Sequence, residues 1–188
     1  MTLTWKTASG EDGALVSSFL AAGGSGNSSI DEFVERKLID YSVNKYSHTS
    51  FLLNAQGVPL GLVSNSMGSI RLDYDDWISR NMLEPPSVIP ALFLHRLGVV
   101  VAHRGKGLGT LLILRIFETL IHADTHTTAP VIALLVEKRN TSAKDLYGRM
   151  FFEKVEGHQS RSHDLFIVPY ESAERRIASL ARQESSPE

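Results

Sequence analysis

Two rhythms of apolar residues alternate along the chain. Leu3–Ala8 reads as an opening strand, Gly13–Ala22 as a short apolar helix, and the polar run GGSGNSS at 23–29 as a flexible connection. Ile30, Phe33, Val34, Leu38 and Tyr41 then recur at helical spacing behind Ser29, and Glu32 three residues on gives the form of a capping box. That spacing predicts one helix with one buried face. Ser50–Asn54 and Val58–Asn65, split by a short Gly-containing turn, predict an antiparallel hairpin.

The second half opens with an irregular stretch, 71–90, which mixes acidic residues, a tryptophan and three prolines and reads as an insertion. From Ala91 to Val101 the pattern is again a strand, followed by the run Arg104-Gly-Lys-Gly-Leu-Gly109 and a helix apolar over a wide arc from Leu108 to Ile121. VIALLV after Pro130 is apolar on both faces, as a strand covered on both sides would be. Strand, helix, strand makes a right-handed parallel crossover the expected connection. Asn140–Arg149 forms a further helix capped by Asn140, two strands follow near Phe152–Gly157 and Asp164–Pro169, and an amphipathic helix, Glu171–Arg182, closes the chain. No internal repeat is visible, so residues 1–184 are expected to form one domain with a polar tail at 185–188.

Composition narrows the function. With 188 residues, 43% of them apolar, the chain can bury a core as one domain. Nineteen basic against twenty-one acidic residues give a net charge of -2, which supplies no general field for nucleic acid or membranes, so neither is expected as a partner. The chain has no cysteine, which excludes disulfides, thiolate metal sites and a cysteine nucleophile. MTLTWKTASG has no apolar signal core, and no run approaches the ~18 apolar residues of a membrane span.

Candidate chemistry centres on the glycine run. Gly105, Gly107 and Gly109 stand where a strand ends and a helix begins, so backbone N–H groups can turn outward together at the positive end of a helix dipole, reinforced by Arg104 and Lys106. The bland reading is a tight turn only. A Walker A loop fits poorly because Gly107 follows Lys106, and a dinucleotide fingerprint fits poorly because Thr110 stands where glycine is needed. His122, Asp124 and His126 have no second ligand cluster, so no metal is expected.

The run Arg104-Gly-Lys-Gly107-Leu-Gly109 resembles the R-x-x-G-x-G pyrophosphate loop of the GNAT superfamily of acetyl-CoA-dependent N-acetyltransferases. Leu97-Gly98-Val99 resembles that family's L-x-V strand end, and Asn140, Ala143, Leu146 and Tyr147 its N-x-x-A-x-x-L-Y helix. The similarity covers residues 91–157. Phe151 departs from the family's glycine, and Val101 from a common proline. The resemblance implies a mixed α/β fold: a mostly antiparallel seven-stranded sheet with a central, splayed parallel pair, flanked by helices. It also implies acetyl-CoA as acyl donor, with Val99, Val100 and Val101 beside the pantetheine arm. Arg104, Gly105, Lys106, Gly107, Leu108, Gly109 and Thr110 would lie at the pyrophosphate, and Asn140 and Tyr147 would also touch the cofactor.

The implied reaction is direct attack of an amine on the thioester. Tyr147 would protonate the departing sulfur; alternatively it is a packed helix tyrosine. Asn140 is a cap, a cofactor contact, or both. His95, alternating with Phe93 and Leu97, is a candidate base or a structural strand residue. In the insertion, Asp75 and Trp77, with Asp73 and Asp76, are candidates for holding a small-molecule or peptide amine, or else form a solvated acidic loop. The functions weighed are an N-acetyltransferase, a catalytically silent CoA-binding sensor and a nucleotide-binding domain. A monomer or homodimer in the cytoplasm, where CoA is used, is expected.

Overall fold

The computed structural model describes residues 2–71, 88–122, 129–158 and 160–184. Seven strands, β1 (Thr4–Thr7), β2 (His48–Leu53), β3 (Pro59–Ile70), β4 (Ile89–Val99), β5 (Val131–Glu137), β6 (Glu153–Lys154) and β7 (His163–Pro169), form one sheet in the order β1-β2-β3-β4-β5-β7-β6. Six helices lie among the described residues: α1 (Gly13–Ala21), α2 (Ser28–Arg36), α3 (Leu38–Val43), α4 (Leu108–His122), α5 (Thr141–Arg149) and α6 (Tyr170–Glu184). The β4–β5 pair is parallel, with Ala91 opposite Val131 and Phe93 opposite Ala133, as the strand–helix–strand pattern predicts. β1–β2, β2–β3, β5–β7 and β6–β7 are antiparallel. This is the mixed, mostly antiparallel fold expected.

The chain divides into two compact units, Met1–Ser66 with Leu94–Ile116, and Met67–Phe93 with Phe117–Glu188. In the first, Phe19, Phe33, Val34, Leu38, Phe51, Leu62 and Val100 form the core, and Phe19 meets Phe51 edge-on at 6.4 Å. Burying each such side chain contributes about 1.5–3 kcal/mol. In the second, Ile70, Ile89, Ala91, Val131, Ala133, Leu165 and Ile167 pack together from neighbouring strands.

Four expectations need correction. The cap of α2 is Asn27, whose side chain accepts the Ser29 N–H at 3.0 Å, so Ser29 lies inside the helix rather than before it. The single helix expected over 30–41 is two, broken at Lys37 (φ -127, ψ -26); the Phe33-to-Lys37 and Lys37-to-Tyr41 hydrogen bonds preserve the apolar spacing across the break, so periodicity does not reveal it. β4 stops at Val99, and Val101 begins a 3-10 turn, Val101–His103. In β5, Leu135 is 53% exposed, so that strand is not covered along its whole length on both faces. The insertion residues 72–87, with Asp73, Asp75, Asp76 and Trp77, lie outside the described residues, as do Asp124 and His126.

Three helices end in the same way. At α1 the Gly24 N–H reaches back to the Phe19 carbonyl, at α3 Tyr46 to Tyr41, and at α5 Phe152 to Tyr147, each through a left-handed residue: Gly23, Lys45 (φ 62) and Phe151 (φ 66). Tyr41 with Tyr46, and Tyr147 with Phe152, close their turns by edge-on ring contacts at 5.6 and 5.5 Å. Phe151 therefore takes the conformation of the glycine it replaces, with the Arg176 guanidinium 5.5 Å over its ring. A left-handed non-glycine residue costs about 1–2 kcal/mol, partly offset by the lower entropy of its unfolded chain. Lys45→Gly is therefore expected to raise stability by about 0.5–1 kcal/mol, read as a higher urea midpoint at unchanged slope.

Candidate active site

The glycine run has the shape of a cradle in which backbone amides are open to an anion. Gly105 (φ 74) and Gly107 (φ 78) are left-handed, and a Cβ at either would stand in open space, so conformation rather than room requires glycine there. The Arg104 N–H goes to the Val101 carbonyl at 3.2 Å, and those of Thr110 and Leu111 close on the Gly107 carbonyl at 3.0 and 3.3 Å. Among the described residues, no backbone carbonyl takes the N–H groups of Gly105 to Gly109. Those amides begin α4, whose first turn has no acidic residue. An anion there gains hydrogen bonds and the helix dipole together.

Neither loop cation is simply pointed at solvent. The Arg104 guanidinium donates to the Ser25 carbonyl, and the Lys106 ammonium to the Ala102 carbonyl at 3.4 Å. Arg104 thus ties the loop to residues 23–27, the stretch read from sequence as a flexible connection. That stretch is closely built: the Asp31 carboxylate accepts the Ser25 N–H at 2.7 Å and its hydroxyl at 2.8 Å, and the Gly24 carbonyl accepts the Val101 N–H at 3.1 Å. A Cβ on Gly26 would fall 2.8 Å from Val101 Cγ2 and 3.2 Å from Arg104 Nη2. Sequence reasoning missed this buttress; the left-handed glycines at 24 and 26 and the nearby Asp31 were its signal.

The three valines before the loop differ. Val100 is fully buried and donates its N–H to the Leu60 carbonyl at 2.9 Å, which fastens it to β3. Successive residues of a strand turn their peptide groups to opposite edges, so Val99 presents its own away from β3. Val101, 45% exposed, has its N–H on Gly24 and its carbonyl on Arg104, so its backbone is already engaged.

In the same unit His95, on β4, lies 2.6 Å from the Ser66 hydroxyl through Nε2. Desolvation, followed by the Arg96 charge, pushes its pKa below the ordinary histidine value. In the other unit Asn140 caps α5, its side chain accepting the Ala143 N–H at 3.1 Å. Tyr147 is buried against Phe152, and burial pushes its phenol pKa up, keeping the hydroxyl protonated throughout the physiological range. Lys144 of the same helix meets Asp164 of β7 at 2.6 Å, and this hydrogen bond holds the Asp164 carboxyl below the usual aspartate range.

With this geometry in view, the family model of the Acetyltransferase (GNAT) family matches residues 27–152. The chain belongs to the GNAT acetyltransferase family, enzymes that take their acyl group from acetyl-CoA. A search among curated proteins finds no sequence match. Solved structures with this fold include AtaT complexed with acetyl-methionyl-tRNAfMet, at TM-score 0.76 and 17% identity over 94% of this chain and 99% of that one. AtaTR bound with acetyl-CoA superposes at TM-score 0.71, with 19% identity over 93% of this chain and 98% of that one. The KacTA–DNA complex follows at TM-score 0.68, with 18% identity over 95% and 99%.

These complexes overturn the expectation of a small or peptide amine with no nucleic-acid partner. The expectation rested on net charge, and net charge is silent about where charges sit; local cations and rings suffice to grip a nucleic acid. Among the described residues no group of histidines and carboxylates forms a metal site, and no helix is long and apolar enough to cross a membrane.

Gly107→Ala tests the cradle. Holding alanine at a left-handed φ costs about 1–2 kcal/mol, or displaces the amides. Acetyl-CoA affinity by calorimetry is expected to fall about tenfold, with the urea midpoint lowered by no more than the strain of about 1–2 kcal/mol accounts for.

Proposed function

We propose that this chain acetylates an amine borne by a nucleic acid, the α-amino group of an aminoacyl-tRNA, with acetyl-CoA as donor. The cradle carries the reading of the donor: with left-handed glycines at 105 and 107, the Gly105–Gly109 amides at the start of α4 have no backbone acceptor among the described residues. A diphosphate fits that arrangement. Lys106 adds charge, Thr110 a hydroxyl, and Val99 an outward-turned backbone for the pantetheine amides. Val100 serves as the buried wall and Val101 as the anchor of the buttress.

His95 supports the choice of amine. An α-ammonium titrates near ~7.7–8, whereas a lysine ammonium titrates near ~10.4. A histidine imidazole takes a proton from the first across a much smaller pKa gap than from the second. The neutral amine then attacks the thioester carbon, a C–N bond forms and the C–S bond breaks. Tyr147, protonated because it is buried, gives its proton to the departing thiolate; of the two protons the ammonium loses on becoming an amide, one passes to solvent through His95 and the other restores the Tyr147 phenol. The products are an N-acetyl aminoacyl ester and CoA thiol. Asn140 holds the start of the Tyr147 helix, and cofactor contact is proposed for it as well.

The decisive assay is thiol release with acetyl-CoA and a set of aminoacyl-tRNAs, beside the free amino acids and a lysine peptide. Turnover with aminoacyl-tRNA is expected; turnover confined to the free amines would overturn the reading. Tyr147→Phe is expected to lower kcat by ten- to a thousandfold with acetyl-CoA affinity nearly unchanged. Because the His95 pKa is lowered, kcat/KM should hold its plateau below pH 6.5 and fall only as pH drops through that lower value. In His95→Gln this acid limb should vanish along with most of the rate.

A further inference from the structure

A second set of residues in the unit of the cradle has no role in cofactor binding. A cleft of about 120 Å³ is lined by Lys37 and Tyr41 from the α2–α3 break, Tyr46 and Ser47 after α3, and His95 and Arg96 on β4. None of the described residues lining it is acidic. Its aromatic residues form a chain of contacts: Phe33 meets Tyr41 edge-on at 5.8 Å, Tyr41 meets Tyr46 at 5.6 Å, and the Arg96 guanidinium lies 5.5 Å over Phe33. The Tyr46 ring, at the end of this chain, is 68% exposed.

Two residues of the cleft lining carry a buried polar atom with no hydrogen-bond partner among the described residues, the Ser47 hydroxyl and Arg96 Nε. Ser47 is only 7% exposed. Buried polar atoms in folded proteins are nearly always satisfied, so atoms of this kind on a cleft wall point to a ligand that supplies the missing bonds. The left-handed Lys45 turns the chain at the end of α3, and the bond from the Tyr46 N–H to the Tyr41 carbonyl fixes the outer ring beside the inner one. The platform is therefore set by the backbone as well as by side chains.

We propose that this cleft docks an unpaired nucleotide at the end of an RNA strand. A base stacks on Tyr46, and Lys37 and Arg96 take the adjacent phosphate. The Ser47 hydroxyl and Arg96 Nε hydrogen-bond within the cleft. Exposed rings beside cations and without carboxylates match a single strand, whose bases are free to stack; a paired duplex hides those faces. The proposal deepens the reading above, since an aminoacyl group is carried on the unpaired end of its tRNA, and it names the surface that recognises that end.

The test is fluorescence anisotropy of the full chain with a labelled single-stranded ten-nucleotide RNA and with a blunt duplex of the same sequence. The single strand is expected to bind at least tenfold more tightly. Tyr46→Ala should weaken it about tenfold and Tyr46→Phe hardly at all, because stacking needs the ring and not the hydroxyl. Lys37→Ala should reduce the salt dependence by about one phosphate contact. Acetyl-CoA affinity reports whether each variant is folded; if Tyr46→Ala fails that check, Tyr46→Phe and Lys37→Ala decide. Equal binding of strand and duplex, no binding of either, or a preference for a peptide or a free nucleoside monophosphate would overturn the proposal.

The two readings separate cleanly. Ring-dependent RNA binding without thiol release from aminoacyl-tRNA keeps the docking site and removes the acceptor assignment. Thiol release with an unchanged KM for aminoacyl-tRNA in Tyr46→Ala does the reverse.

Discussion

The bond from Arg104 to the Ser25 carbonyl is the contact on which the cradle's shape depends. It joins segments nearly eighty residues apart and sits beside a second bond, from the Val101 N–H to the Gly24 carbonyl. Together they fix the chain where it turns away beyond the end of β4 at Val99, so that Gly105 and Gly107 can expose their amides. Asp31 completes the support by holding Ser25 through its N–H and hydroxyl. The most obvious cation of the loop therefore has a structural duty, and attraction for an anion falls mainly to backbone dipoles. Such dipoles are fixed before a ligand arrives, which lowers the cost of ordering it.

That division of labour was only half legible in the sequence. Arg104, Gly105, Gly107 and Gly109 announce a phosphate loop by type and spacing, and Tyr147 and Asn140 stand in a helix whose cap is as expected. What GGSGNSS does is not legible, because glycine and serine are equally the composition of a loose linker and of a tightly packed turn. The difference lies in the contacts of Gly24 and Gly26, which exist only once the chain has folded. The helix pattern at 30–41 likewise marks Phe33, Val34 and Leu38 as buried, but Tyr41, expected on the same face, is 37% exposed, and the break at Lys37 does not show in it. At Lys37 the backbone leaves the helical region, yet the hydrogen bonds on either side keep the apolar spacing.

Charge misled for a related reason. Counting nineteen basic against twenty-one acidic residues averages over the whole surface. The walls of the cleft by Tyr46 hold Lys37 and Arg96 with no acidic residue among those described. A ligand samples the local field, within about 8–10 Å in physiological salt, and not the sum.

β6 has a consequence for the company this protein keeps. It contributes two residues, Glu153 and Lys154, both charged and exposed, against the seven of β7 at the end of the sheet order. A border strand that short offers little ladder for a foreign strand to copy, and its charges would have to be desolvated on contact. The sheet therefore ends on a strand that resists edge-to-edge aggregation by its own shortness and charge.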